Sequence, residues 1–437
     1  MVIKQKNLIA FQLYYLMIVE FLIDILHFPE IIRYVLDVNA IFLAILALPK
    51  IQIILRDRVF KYFNSYVILY MSAIVLFSLL RSTPFGRVLW AARNNYLYII
   101  FFFCCAYTLK TEDFSKIMRN VARFQIVNVL CATYEYLVLG SRGDGLGGMF
   151  GIQSGCNGYL NNYLFIITAW AIVMFAQKRI RMYYLVWIIL SSVVLAASAE
   201  IKFYYIELAL IIVASLVLSR VSINNGVILL GAVILFFVAI QIVGKIDPHI
   251  VRFFSNIDAV TTYSKETYGN TAISRGTALS QVNDYFFRDD GFKNLFGYGF
   301  GYCEDSKSFD WANSVFATRY AYLGYRNLSV SMIFLETGYV GLIGFVAIFV
   351  FLFILAQKHK DTVEKGNEHI YFAQIVAILA IVNVWYDSCI RRESAYLTFF
   401  ALAGLLIVVR ANAGNISTSE KQGGEVKKRR RRIKFVR

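Results

Sequence analysis

The sequence predicts an all-α polytopic membrane protein with about twelve transmembrane helices and one large external loop. Three observations predict it. Of 437 residues, 59% are hydrophobic and only 16% charged, more apolar surface than a soluble domain of this size buries. Apolar runs of about 20 residues, the length of a spanning helix, recur along the chain. Short loops separate them, and a cation-rich set expected on one side alternates without a break with a second set on the other.

The runs fall, in order, at about 7–28, 31–49, 63–80, 88–109, 118–139, 156–177, 182–198, 203–219, 226–243, 327–356, 370–388 and 394–410. Glu20, Asp24 and Asp37 interrupt the first two, at about 3 kcal/mol for each charge at mid-helix. No small-residue cleavage site follows the first run, so it reads as a span and not as a leader. Four units result: a bundle of about nine helices (1–243), an external loop with amphipathic helices (244–326), a bundle of about three helices (327–410) and a basic cytoplasmic tail (411–437).

Charge orients the bundle. "KIQIILRDRVFKYF", "KTEDFSK", "QKRIR" and "QKHKDTVEKGNEH" fall on one side together with the tail "KKRRRRIKFVR". That side is cytoplasmic, so both termini are expected inside. The formal net charge of +16 then reflects topogenic, lipid-facing cations and does not call for nucleic acid. The six cysteines show no metal-ligand spacing, and neither metal nor cofactor is expected.

The external side is not poor in cations. Arg81, Arg87, Arg142, Lys202, Arg275, Arg319, Arg326, Arg391 and Arg392 all fall there. Cations outside oppose the topogenic preference, which points to an anionic ligand at the outer membrane face; the plainer reading is snorkelling to lipid phosphates.

In the long outer loop, Ser274 is expected to cap a helix in which Ala278, Leu279, Val282, Tyr285 and Phe286 recur at helical spacing. Arg275 would occupy its first turn, where free N–H groups already favour an anion. "LFGYGFG" (295–301) contains GYG, but no threonine-rich strand or pore helix makes it an ion filter. No lysine follows to make it a phosphate loop. It reads as a tight turn returning the chain to the bundle. His249 reads as an interfacial polar residue.

Five features occur in order: "GGMFGIQSGCN" (147–157), "SAEIK" (198–202), the large loop with Arg275, "LFGYGFG", and "RNLSVSMIFLETGYVGLIGF" (326–345). In this the chain resembles the O-antigen ligase/polymerase superfamily: Wzy-type polymerases of O-antigen, capsule and exopolysaccharide, and WaaL-type ligases. The resemblance covers roughly residues 140–350 and implies a metal-independent glycosyltransferase of GT-C type in the bacterial inner membrane. The donor is a glycan on undecaprenyl diphosphate at the outer leaflet. An acceptor hydroxyl attacks the anomeric carbon and undecaprenyl diphosphate leaves. Membrane lipids, a chain-length regulator and a flippase are the implied partners. Ligases of the family carry a His before the Asn that opens the tenth span. Here Tyr325 and Arg326 precede Asn327, which favours a polymerase and leaves no inherited histidine base.

Arg275 matches the arginine that opens the family's large loop, and Lys202 stands where many members have arginine, keeping the charge but not the bidentate fork. The diphosphate is therefore assigned to Arg275 and Lys202, with Glu200 as base. Arg142, Arg326, Asn157, Asn327 and Tyr298 complete the expected substrate site. The structural alternatives are ion pairs of Arg275 with Asp284 or Asp289, and of Lys202 with Glu200. Asp144, Glu304, Asp305 and Asp387 are the other outer carboxylates. Glu336 lies inside a span, where a carboxylate is costly and tends to be functional, or packs helices with Gly338 and Gly341. The rival functions are an O-antigen ligase and, from another class, a transporter of lipid-linked sugar. Against the transporter stands the lack of an internal repeat.

Overall fold

The computed structural model describes residues 4–153, 155–219, 265, 272–306, 308–363 and 365–413. They are dominated by helices, with no strand among the described residues. In chain order the helices are α1 (Gln5–Leu16), α2 (Val19–Asp24), α3 (Val35–Ala47), α4 (Ile51–Leu55), α5 (Lys61–Leu80), α6 (Phe85–Thr108) and α7 (Thr111–Tyr134). Then come α8 (Cys156–Ala176), α9 (Met182–Ser198), α10 (Lys202–Leu218) and three short helices of the outer loop: α11 (Ala278–Val282), α12 (Gly291–Phe296) and α13 (Val315–Tyr320). Finally α14 (Ser329–His359), α15 (Asn367–Tyr386) and α16 (Ala395–Ala413) return to the bundle.

Seven helical stretches among the described residues are long and apolar enough to cross a membrane: Glu30–Leu55, α5, α6, α8, α14, α15 and α16. The architecture is that of an α-helical, multi-pass membrane protein. The remaining expected spans differ for physical reasons. The first breaks at Met17–Ile18 into α1 and the six-residue α2, which carries Glu20 and ends at Asp24. Helix α7 opens with Glu112 and Asp113 and has polar residues along its length. Helices α9 and α10 have 17 residues each, just under the roughly 20 that span a bilayer. The expected span at 226–243, His249 and the basic tail from 414 lie outside the described residues.

Helices α8, α15 and α16 form the buried centre, whereas α5 presents most of its side chains outward. The charged loops gather in two groups. In one, Lys6 pairs with Asp113, Arg179 with Glu368 and Arg410 with Asp57. The other is formed by the loops expected on the external side, and it builds the cavity described next.

Candidate functional site

The glycine turn positions the outer loop. Helix α14 is interrupted at Gly338, whose φ is 62°. The break leaves the carbonyls of Leu335 and Glu336 without helical donors, and Tyr298 N–H (3.0 Å) and Gly299 N–H (2.9 Å) occupy them. The two chains touch: a Cβ on Gly297 would lie 2.4 Å from the Glu336 carbonyl carbon, and one on Gly338 2.3 Å from that of Leu295. Only glycine fits at both positions. The Glu336 carboxylate accepts from the N–H groups of Gly301 and Cys303, both at 3.0 Å. Glu336 thus fastens the turn to α14, and the close approaches across to the loop are Gly297 on the Glu336 backbone and Gly338 on the Leu295 backbone.

The expected cap at Ser274 is not formed. The Ser274 hydroxyl meets that of Thr277 at 2.6 Å, and its N–H donates to Gln281 at 2.8 Å. These local bonds hold a turn, the helix begins only at Ala278, and Arg275 lies before it. Arg275 Nε donates to the Tyr386 carbonyl at 3.1 Å, and its guanidinium sits 4.7 Å from the centre of the Tyr386 ring. Asp289, a suggested partner, accepts instead from Asn283.

A cavity of about 770 Å³ opens at this end of the bundle, within the range of ligand pockets, roughly 300–1,000 Å³. Its walls come from the end of α2, residues 30–34, the outer part of α6, residues 144–161, Glu200, the outer loop and the segment Tyr386–Glu393. It brings together Arg275, Glu200, Arg326, Asn157 and Asn327 from distant parts of the chain. Three other expected residues do not line it. Lys202 opens α10 just behind Ile201. Arg142 is 5.1 Å from the centre of the Tyr136 ring. The Tyr298 hydroxyl donates to the Phe286 carbonyl at 2.6 Å, and its ring stacks on Tyr302.

Fixed ion pairs frame the cavity. Arg33 grips Glu20 with two bonds of 2.7 Å. Arg93 bridges Asp37 (2.9 Å) and Glu393 (2.7 Å), and the Tyr159 hydroxyl donates to Glu393 at 2.6 Å. Burial alone would raise Glu393, but Arg93 outweighs it and holds the carboxyl at about 2. Buried Arg391 donates to Glu304 (2.7 Å) and Asn95 (2.7 Å), while Asn94 donates to Glu304 (2.9 Å). Arg326 pairs with Asp305. Burial and the nearby Arg392 draw the Arg326 guanidinium below its usual range.

Two groups are not committed in this way. Arg392 is exposed at the cavity and makes no ion pair among the described residues. Asp387, the first residue beyond α15, is buried with one oxygen accepting from Cys389 N–H at 2.7 Å. Its other oxygen, Oδ2, has no hydrogen-bond partner among the described residues. Burial pushes Asp387 up to about 6, against the opposing pull of Cys389 N–H and the Arg275 charge. A carboxyl so poised can exchange a proton near neutral pH. Arg275 and Arg392 can take two oxygens each of a planar or tetrahedral anion.

Arg33, Arg93, Tyr159 and Glu393 are cavity residues that the sequence reading did not select. The available signal was their position: Arg33 and Arg93 are cations inside apolar runs, which is costly without a purpose. Neither a family model nor a curated protein matches the chain.

Proposed function

We propose that the protein polymerises undecaprenyl-diphosphate-linked oligosaccharide repeat units at the outer leaflet of the bacterial inner membrane. In this reading it is a GT-C-type glycosyltransferase of twelve spans, with both termini cytoplasmic, close to the Wzy-type polymerases its motifs resemble. One observation carries the proposal: a buried carboxylate, Asp387, one oxygen of which has no hydrogen-bond partner among the described residues, shares a polar cavity with Arg275 and Arg392.

The chemistry follows from those groups. Asp387 accepts the proton of the acceptor sugar's hydroxyl, whose oxygen attacks the donor's anomeric carbon. The bond from that carbon to the diphosphate breaks, and the negative charge left on phosphate oxygens faces Arg275 and Arg392. The new glycosidic bond joins the two glycans, and undecaprenyl diphosphate carries the electron pair away. Glu200, the base expected from sequence, lines the cavity too, but it is exposed. Burial favours Asp387 for the role.

The test is reconstitution of purified protein with undecaprenyl-diphosphate repeat units and no nucleotide sugar. Longer lipid-linked glycans are expected. Substrate moved across the bilayer at unchanged length would replace this reading with transport. Transfer to lipid A–core with no polymer formed would identify a ligase.

A further inference from the structure

The cavity is not uniformly basic. Its lining includes eight carboxyl side chains against five guanidiniums. Three of those guanidiniums already face carboxylates: Arg33 on Glu20, Arg93 on Glu393 and Arg326 on Asp305. Arg275 rests on Tyr386, and Arg392 stands at the same segment.

The opposite holds around residues 143–157. Asp24 accepts from Ile152 N–H (3.0 Å) and from the Gln153 side chain (2.7 Å). Asp144 accepts from Asn157 at 2.6 Å. Glu200 lies against Gly143, whose Cβ, if present, would be 3.1 Å from its Oε1. All three line the cavity, and none has an ion-pair partner among the described residues. One wall therefore offers acceptor oxygens and negative potential. A second, independent observation points to a ligand here. Asp387 is only 7% exposed, and its Oδ2 lacks a partner among the described residues beside the same cavity. A buried acceptor of this kind calls for a donor.

We propose that this wall selects the glycan by charge: it accepts repeat units whose sugars are neutral or amino-bearing and rejects those that carry carboxylates. The inference rests on the glycan-transfer reading and names the substrate class of that site. The diphosphate sits towards Arg275 and Arg392. The sugars lie along Asp24, Asp144 and Glu200, where hydroxyl or ammonium groups donate charge-assisted hydrogen bonds. A uronate in that place meets three carboxylates of like charge; Asp144 and Glu200 are exposed, so water screens part of the repulsion, and the remainder disfavours the uronate.

The experiment uses the full chain in nanodiscs with three undecaprenyl-diphosphate trisaccharides that differ at one sugar: glucose, glucosamine or glucuronic acid. The glucose and glucosamine units are expected to extend, and the glucuronic unit at least about tenfold more slowly, which is about 1.4 kcal/mol. Asp144→Asn combined with Glu200→Gln should narrow the ratio between glucose and glucuronic units. Equal extension of all three overturns the charge selection and leaves the transfer reading standing. Failure of all three to extend overturns the transfer reading instead. A binding arm then decides the charge selection. Trp90 lines the cavity, so its fluorescence, corrected with Trp90→Phe, reports the free trisaccharides. Tighter binding of the neutral and amino sugars supports the selection; equal or tighter binding of the uronate overturns it.

Discussion

Replacing Asp387 by Asn separates a catalytic role from a structural one, because the two effects run in opposite directions. Asn keeps an acceptor for Cys389 N–H, and the Asp387 carbonyl that receives Ser329 N–H at 2.7 Å is unchanged. The carboxyl rises from 3.8 to about 6 in the folded protein. Its proton is therefore held more tightly when folded. The associated stability is fully present below about pH 4 and is lost as pH rises through about 6. At pH 8 the ionised group costs the fold about 3 kcal/mol relative to a carboxyl in water. Asn removes that cost, and its new N–H returns about 1–3 kcal/mol of it if left unpaired. The melting temperature at pH 8 should thus be unchanged or higher in Asp387→Asn, with the difference from wild type shrinking at pH 5. Glycan extension should fall about 10²–10⁴-fold. The wild-type rate should drop about tenfold per pH unit below about 6, and the variant's residual rate should not. Thermal unfolding in detergent and extension assays across pH 5–8 measure both. A variant that extends at the wild-type rate, or keeps the wild-type pH profile, refutes the assignment of Asp387 as base.

Other substitutions probe the frame. Arg275→Lys keeps the charge but loses the planar fork over Tyr386; extension should fall about tenfold or more, with Arg275→Ala lower still. Arg391→Ala leaves Glu304 buried without its cation, a loss of about 3–5 kcal/mol visible as a lower unfolding midpoint. Gly338→Ala places a methyl group on the Leu295 backbone at a φ of 62°. It should cost at least about 1–3 kcal/mol and be read as reduced yield and melting temperature.

The sequence was most legible where one physical rule dominates. Apolar runs disclosed a helical membrane protein, and the glycine spacing of 295–301 disclosed a turn that goes back to the bundle. Ser274 misled because helical spacing from Ala278 made it look like a cap. Its hydroxyl and N–H are taken by Thr277 and Gln281, a choice among neighbouring polar groups that no periodicity records. The frame of the cavity was less legible still. Arg93 meets Glu393 and Arg391 meets Glu304 across 300 and 87 positions, and no spacing announces pairs of that kind. Asp387, Arg391 and Arg392 stand out in the sequence only as outer charges, and nothing in it shows that the segment 387–393, which also carries Glu393, supplies both anchors and uncommitted groups of one cavity.

That concentration explains how the cavity combines rigidity with reactivity. Arg391 and Glu393 turn inward, and each is fixed by groups on α6: Asn95 for Arg391 and Arg93 for Glu393. Asp387 is fixed at the other end by Cys389 N–H and by its own carbonyl on Ser329 at the start of α14. The segment is therefore anchored on both sides. For the ion pairs Arg93–Glu393 and Arg391–Glu304, attraction at 4 Å and an effective dielectric of about 20 is about 4 kcal/mol before desolvation, so these anchors resist displacement by an arriving charged ligand. What they leave uncommitted is Arg392 and one oxygen of Asp387. A site whose paired charges hold the wall and whose uncommitted cation, Arg392, lines the cavity needs little reorganisation when negative charge develops there. That is the condition under which fixed cations lower a barrier and do not merely bind.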